Sequence, residues 1–319
     1  MGLPWRMRIA VWWKPLLLGC VCAAWGLVPA MSLILADPAS SSERFVANYL
    51  QVFYRLSHHL DPLQFSVRCH VWGGLLGLIW LLLLLRNRQP GSELLWWRWL
   101  TAASLLFAGV GLLVAWGPRP AELMPGYEWR MRLLRFYPVR LADVLLPMGV
   151  ALELGSAAVG LPLLRRSGVQ IGLAVFLAGL TLAGADRTAT QSGPRYASAA
   201  DWRQVCDWVR LHVPPGDVCQ TPGRQVDFKW YAQRPEFVTF KDCPQDARGI
   251  VEWNRRLRLT SRFFADRYAD KVYSARELAE WRDISGCRWL ITDELGPITV
   301  TPVLTAGALR VYDLRPLKR

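Results

Sequence analysis

The stretch WLTAASLLFAGVGLLVAWG, residues 99–117, runs without one charged side chain. A helix built from it has no polar face to turn toward water, and its length approaches the roughly twenty apolar residues that a bilayer core requires. Working outward, four more stretches come near that length: residues 15–36, which are uncharged; 69–85, short and nearly pure Leu; 141–164, long and interrupted; and 168–185, closed by Asp186. The expected fold is therefore a polytopic α-helical membrane region of about five transmembrane helices over residues 1–186. Trp12 and Trp13, and then Trp96, Trp97 and Trp99, read as interfacial belts marking where helices leave lipid. Arg6, Arg8 and Lys14 ahead of the first stretch, with Ala30 or Ala36 offering small residues for cleavage, leave a secretory signal as its alternative reading.

Charge supports the division into two halves. The chain is 52% hydrophobic, has 17 Trp and carries a formal charge of +13. Residues 199–319 hold 20 Lys and Arg against 16 Asp and Glu, and residues 1–198 hold 18 against 9. A nucleic-acid footprint would be a basic face on the water-soluble part, so the distribution argues against nucleic acid and for the lipid bilayer as the partner of the N-terminal half. The positive-inside bias puts the N-terminus, residues 86–98 and the Arg165-Arg166 turn in the cytoplasm. Five spans then place the C-terminal part outside a multi-pass cell-membrane protein. The 118–140 loop opposes the bias, because it puts Arg119, Arg130, Arg132, Arg135 and Arg140 on the outer side.

After Asp186 the pattern changes. Residues 187–198 form a polar linker, and residues 199–319 alternate helical and strand signals, which predicts a soluble layered α/β domain. Trp202, Val205 and Val209 make one helix face, Pro214-Pro215-Gly216 stops it, and Val218-Cys219 opens a strand. Residues 236–240 read as the next strand, 246–264 and 275–284 as helices, and 288–292 and 310–314 as the remaining strands. Cys206, Cys219, Cys243 and Cys287 are an even set that an outer location permits to pair, with no pairing legible in the sequence, and most of them read as free core thiols. Arg248, Arg255 and Arg262 share one helix face, either as a solvated surface or as a stripe on anionic headgroups.

Particular motifs carry a resemblance. Asp201-Trp202-Arg203, Trp208, Val213-Pro214-Pro215-Gly216-Asp217, Phe228-Lys229-Trp230-Tyr231, Arg234-Pro235 and Lys241-Asp242-Cys243-Pro244-Gln245-Asp246 resemble the C-terminal domain of a group of uncharacterised bacterial polytopic membrane proteins. Tyr49-Leu50-Gln51-Val52, His58-His59-Leu60-Asp61-Pro62 and Arg140-Leu141-Ala142-Asp143 match the same group. That group in turn looks like the C-terminal part of GT-C-type glycosyltransferases, which draw a sugar from a polyprenyl-phosphate carrier at the outer membrane face. The resemblance implies a bacterial inner-membrane location and a lipid-linked phosphate sugar as ligand. GT-C-type enzymes usually have more spans and an acidic catalytic motif in the first outer loop; here that loop offers Asp37 and Glu43.

Candidate residues follow by chemistry, and no zinc-type CxxC pair, HExxH, Walker loop or GxGxxG is among them. Arg130, Arg132, Arg135 and Arg140 suit a lipid phosphate, since a planar guanidinium binds such oxygens in parallel pairs. Lys229, Arg234, Lys241, Asp242 and Asp246 surround short strands, where ligands of α/β sheets gather. Asp143 and Glu153 lie in an apolar span, where an ionised carboxylate needs a partner. Ten residues separate them by roughly 15 Å along a helix, too far for a dyad; Asp143 has Arg140 nearby and Glu153 has no partner in its own helix. His58, His59 and Asp61 are candidate ligands for a divalent cation. The expected function is binding of a lipid-linked phosphate sugar at the outer face. The alternative is a noncatalytic membrane component or truncated chain whose C-terminal domain binds a partner, a membrane protein among the candidates.

Overall fold

A computed structural model describes residues 5–36, 38–87, 90–159, a few positions within 168–175, and then 198–223, 225–267, 272–293 and 298–318. Most of the expected span at 168–185, most of the linker at 187–198, the Arg165-Arg166 turn and Asp37 lie outside the described residues.

The N-terminal half is helical. Helix α1 (Trp5–Ala36) contains Pro15 and Pro29. Helix α2 (Ser41–Tyr49) starts on a capping box in which Ser40 Oγ accepts from the Glu43 amide and Glu43 accepts in return from the Ser40 amide. This reciprocal pairing satisfies two amide groups that a helix start leaves open. α2 runs directly into a π-helical turn, Leu50–Arg55. After the short α3 (Ser57–Leu60) come α4 (Val67–Arg86), α5 (Ser92–Ala115), α6 (Tyr127–Leu134) and α7 (Arg140–Val159).

Two of these helices, α4 and α5, are long and apolar enough to cross a membrane. The five-span expectation therefore reduces to two among the described residues. Within α1 the apolar run is the shorter Trp13–Pro29, and α7 carries Arg140, Asp143 and Glu153 along its length. Protein covers almost none of α4 and about a fifth of α5, 6% and 22% of their apolar windows. The contact faces are specific: α5 buries Thr101, Ser104, Ala108, Gly111 and Ala115, small residues recurring every three or four positions, which let a neighbouring backbone approach closely. α7 takes that place and also packs against α4, where Trp80 meets Leu146 and Val150.

The C-terminal half is a small mixed sheet between helices. Strands β1 (Cys219–Gln220), β2 (Trp289–Thr292), β3 (Leu304–Ala306) and β4 (Leu309–Asp313) lie in the order β1-β2-β4-β3. β1 runs parallel to β2, with Cys219 opposite Trp289; β4 is antiparallel to both β2 and β3, with Leu290 opposite Tyr312. Alternation along the strands feeds two cores. Trp289, Ile291 and Val311 face α8 (Ala199–His212) and α9 (Phe228–Ala232), packing with Trp202, Val205, Val209 and Phe228. Leu290 and Tyr312 face α10 (Ala247–Arg267) and α11 (Ala275–Ser285), packing with Ile250, Trp253, Leu278 and Trp281.

Most expected elements of this half are present within a few residues. The exception is the strand at 236–240, of which only Glu236 bridges to β1, opposite Cys219. Phe237, Val238 and Thr239 are buried in succession instead of alternately, so this segment fills a gap between helix and sheet and cannot present one face, as a ladder strand would. A second difference is larger in scale. The core under α10 also contains Ala47 and Leu50 of the N-terminal half, and α2 lies along α10.

Candidate functional site

The junction of the two halves encloses a cavity of about 890 Å³. Three cations reach its wall from separate elements: Arg44 of α2, Arg135 at the end of α6 and Arg248 in the first turn of α10. Asn48, Gln51, Tyr137, Gln245 and Asp246 complete its polar lining. Each cation is held in place. Arg44 donates through Nε and Nη2 to the Ala39 carbonyl at 3.1 and 2.8 Å. Arg135 Nη1 donates to Asn48 Oδ1 at 2.6 Å. Arg248 Nη2 donates to the Pro38 carbonyl at 2.8 Å, and its Nε stands 3.5 Å from Glu43 Oε2. Amide and hydroxyl bonds from Ser40 hold the Glu43 carboxyl below its ordinary range, and Arg248 adds to this. Asp246, the one carboxylate among the lining residues, accepts the Gly249 amide at 2.7 Å and so begins α10. The π-helical turn supplies Gln51, and such turns recur where backbone is shaped around a ligand.

Beside this cavity lies an apolar groove of about 840 Å³, lined by Phe107, Val110, Leu133, Phe136 and Leu141, with His59 and Arg140 among its walls. Tyr137 lines both spaces. Gly111 lets the next segment cross α5 closely at one wall of the groove: a Cβ there would lie 2.6 Å from Pro138 Cγ. Partial burial, His58 and Arg140 all disfavour the charged imidazole of His59, whereas Asp143 favours it; the balance lowers its pKa.

The sequence-predicted residues divide sharply. Arg135 and Arg140 reach the cavity and the groove respectively. Arg130 does not: its Nη1 donates to the carbonyls of Val114 and Trp116, at 3.2 and 2.5 Å, and so caps the end of α5. Arg132 is exposed and lines neither space. Asp246 lines the cavity, but the rest of its predicted cluster scatters. Lys229 pairs with Asp242 at the surface, Arg234 caps α8 through the carbonyls of Arg210 and Val213, and Lys241 contributes a carbonyl to Arg55 at 3.3 Å.

Glu153 finds on a second helix the partner that its own helix does not supply. It is 1% exposed and accepts two bonds from Arg98 of α5, at 2.5 and 2.8 Å. Its partner comes from another helix, and the pair of charge-assisted bonds satisfies a carboxylate that apolar surroundings would leave without a donor. Asp143 is exposed. The proposed cation ligands His58, His59 and Asp61 do not converge. Arg119 grips Asp61 with Nη2 at 2.6 and 2.8 Å and Nε at 3.1 Å, while Asp61 also accepts from the Leu63 amide. The two histidine rings lie against each other with centroids 4.2 Å apart. No cluster of three ligand-type side chains able to hold a metal occurs among the described residues. Cys206, Cys219, Cys243 and Cys287 are free and buried, as read. Burial pushes their thiols up, to about 12 for Cys206 and Cys287, which keeps them protonated and poorly nucleophilic.

Arg44, Asn48 and Gln51 were missed by sequence reading. They sit in an ordinary-looking amphipathic stretch, and only the docking of α2 on α10 makes them site residues. Arg248 belongs to the helix stripe with Arg255 and Arg262, a spacing that by itself points to no cavity. Residues 200–260 match the family model described as a domain of unknown function, DUF6798. No curated protein and no solved structure matches the chain.

Proposed function

We propose that this chain is a multi-pass cell-membrane protein whose outer-face cavity receives an anionic amphiphile, a polyprenyl-phosphate-linked sugar of the class that GT-C-type glycosyltransferases use. The single observation carrying this reading is the adjacency of a cavity lined by Arg44, Arg135 and Arg248 to an apolar groove, with Tyr137 on both walls. Guanidinium groups suit a phosphate or pyrophosphate, and the groove suits a chain that must remain out of water. The largely uncovered sides of α4 and α5 support the membrane setting, because apolar surface on this scale needs lipid or a partner to cover it. In this reading the described helices belong to a set of about five spans, with the C-terminal half outside the cell.

Binding is favoured over turnover by the state of the acids near the cavity. Asp246 caps a helix and Glu43 is engaged by Ser40 and Arg248. A noncatalytic carrier-binding component, working with a catalytic partner chain, is accordingly the second reading. The test is binding of a labelled polyprenyl-phosphate sugar to the protein purified in detergent, with phosphatidylglycerol as the competing anionic lipid. Arg135→Ala and Arg248→Ala should each weaken binding about tenfold, the cost of a charged hydrogen bond at roughly 1.5 kcal/mol, and Arg135→Lys should restore part of it. Equal affinity in all variants, or full displacement by equimolar phosphatidylglycerol, removes the assignment.

A further inference from the structure

A second cavity, about 400 Å³, lies on the other side of the C-terminal sheet between α8 and α9. Arg203, Asp207, Arg210, Trp230 and Tyr231 line it. Helix α9 fixes what it presents: Phe228 and Ala232 are fully buried, which turns Trp230 outward, where it is 80% exposed. The helix is pinned at its base, since Asp227 accepts from the indole of Trp202 at 2.7 Å and from the Trp230 amide at 3.1 Å. Across the cavity the guanidinium of Arg203 lies 3.8 Å above the Tyr231 ring. Arg210 pairs with Asp207 at 3.0 Å, and Arg234 holds the carbonyl of Arg210.

An indole left in water on a rigid element, beside two guanidinium groups and one carboxylate, has the chemistry of a saccharide platform. The flat ring accepts the apolar C–H face of a hexose. The Asp207 carboxylate accepts hydroxyl protons, and the arginine donors match oxygens in parallel pairs. With two cations against one anion, the cavity prefers a sugar carrying a negative group. A bilayer is the poorer occupant, because α8 and α9 cover the sheet face opposite the one that docks the N-terminal half through Ala47 and Leu50.

We propose that the α8–α9 cavity binds an acidic saccharide, with one hexose ring stacked on Trp230 and its anionic substituent held by Arg203 and Arg210. This site stands on different residues from the amphiphile cavity and holds whether or not that reading does. The experiment is calorimetric titration of the full chain in detergent with trigalacturonate and, separately, with neutral maltotriose. Trigalacturonate should bind about tenfold more tightly than maltotriose. Trp230→Ala should weaken it at least tenfold with an unchanged melting temperature, since the side chain is exposed; Trp230→Phe should retain most of the binding, and Arg210→Ala should erase the preference for the acidic sugar. Absence of measurable binding of trigalacturonate at roughly millimolar concentration overturns the proposal. So does unchanged binding by Trp230→Ala, or a Trp230→Ala defect confined to flotation with phosphatidylglycerol vesicles, which would make the indole a bilayer contact.

Discussion

Glu236 shows how one buried acid sets a pH dependence. It is 8% exposed, and the Thr221 hydroxyl donates to it. Removal from water raises its pKa to about 7 from an ordinary 4.5; Thr221 and Lys229 oppose the shift, whereas Asp242 and Asp227 reinforce it. Below about pH 4.5 the carboxyl is protonated in both folded and unfolded chains, so it contributes nothing to the difference. Between there and about pH 7 the unfolded chain loses the proton while the folded one keeps it, so stability falls as pH rises and stays lower above that window. At 1.36 kcal/mol per unit the loss is about 3 kcal/mol. Glu236→Gln should therefore melt higher than the parent at pH 8 and level with it at pH 4.5, in thermal scans of the two proteins side by side. An equal pH slope for both would show that Glu236 is already ionised in the fold. Glu153 teaches a complementary lesson: its burial was legible from the span around it, but its partner Arg98 lies 55 residues away on another helix. No local pattern pairs them, because Arg98 sits among tryptophans at a helix start and reads equally well as a headgroup contact.

Helix α5 is better specified by sequence than its neighbours. Its small residues Thr101, Ser104, Ala108, Gly111 and Ala115 form one buried stripe, and that spacing is readable in advance as a close-packing face. The near-uniform leucines of α4 say that a helix forms but hide which side is covered; only Trp80 is buried there. Where α7 crosses α5, a Cβ on Gly149 would stand 2.6 Å from Thr101 Oγ1, 3.0 Å from its methyl group and 3.2 Å from Trp80 Nε1. Thr101 has little room to yield, since its hydroxyl donates to the carbonyls of Trp97 and Leu145. Gly149→Ala should thus destabilise the helical half by about 1–3 kcal/mol, as overpacking does. Pairing it with Thr101→Ala should recover part of that loss, a non-additivity expected of side chains in contact. Detergent melts of the single and double variants measure it; purely additive losses would mean that the helices separate to accommodate the methyl group.

On the scale of the whole molecule, the two halves share a core. Residues 199–319 were legible as an α/β unit, because buried positions on α8, α10 and α11 recur at helical spacing and β2 opens on the apolar run Trp289-Leu290-Ile291. The basic cavity was not, because its lining comes from residues near 44, 135 and 248, and sequence spacing carries no information about elements meeting at such separations. Docking of α2 is what assembles it. Leu50 and Ala47 sit with Ile250, Trp253 and Phe237, Tyr54 meets the Trp253 and Phe240 rings at 6.4 and 6.1 Å, and Arg248 ties back to Pro38 and Glu43. If this contact is structural, a fragment of residues 199–319 alone exposes an apolar face that the intact chain covers, and it should melt well below the corresponding transition of the full protein. A synthetic peptide of residues 38–60 should raise the fragment's melting temperature with increasing concentration, by mass action on the folded state. The same peptide with Leu50→Ala should do so poorly, since truncating a buried Leu costs about 2–5 kcal/mol. A fragment that melts cooperatively at the full-length temperature and ignores the peptide would show that α2 merely rests on α10, and the basic cavity would then lack the rigid wall that its three arginines need.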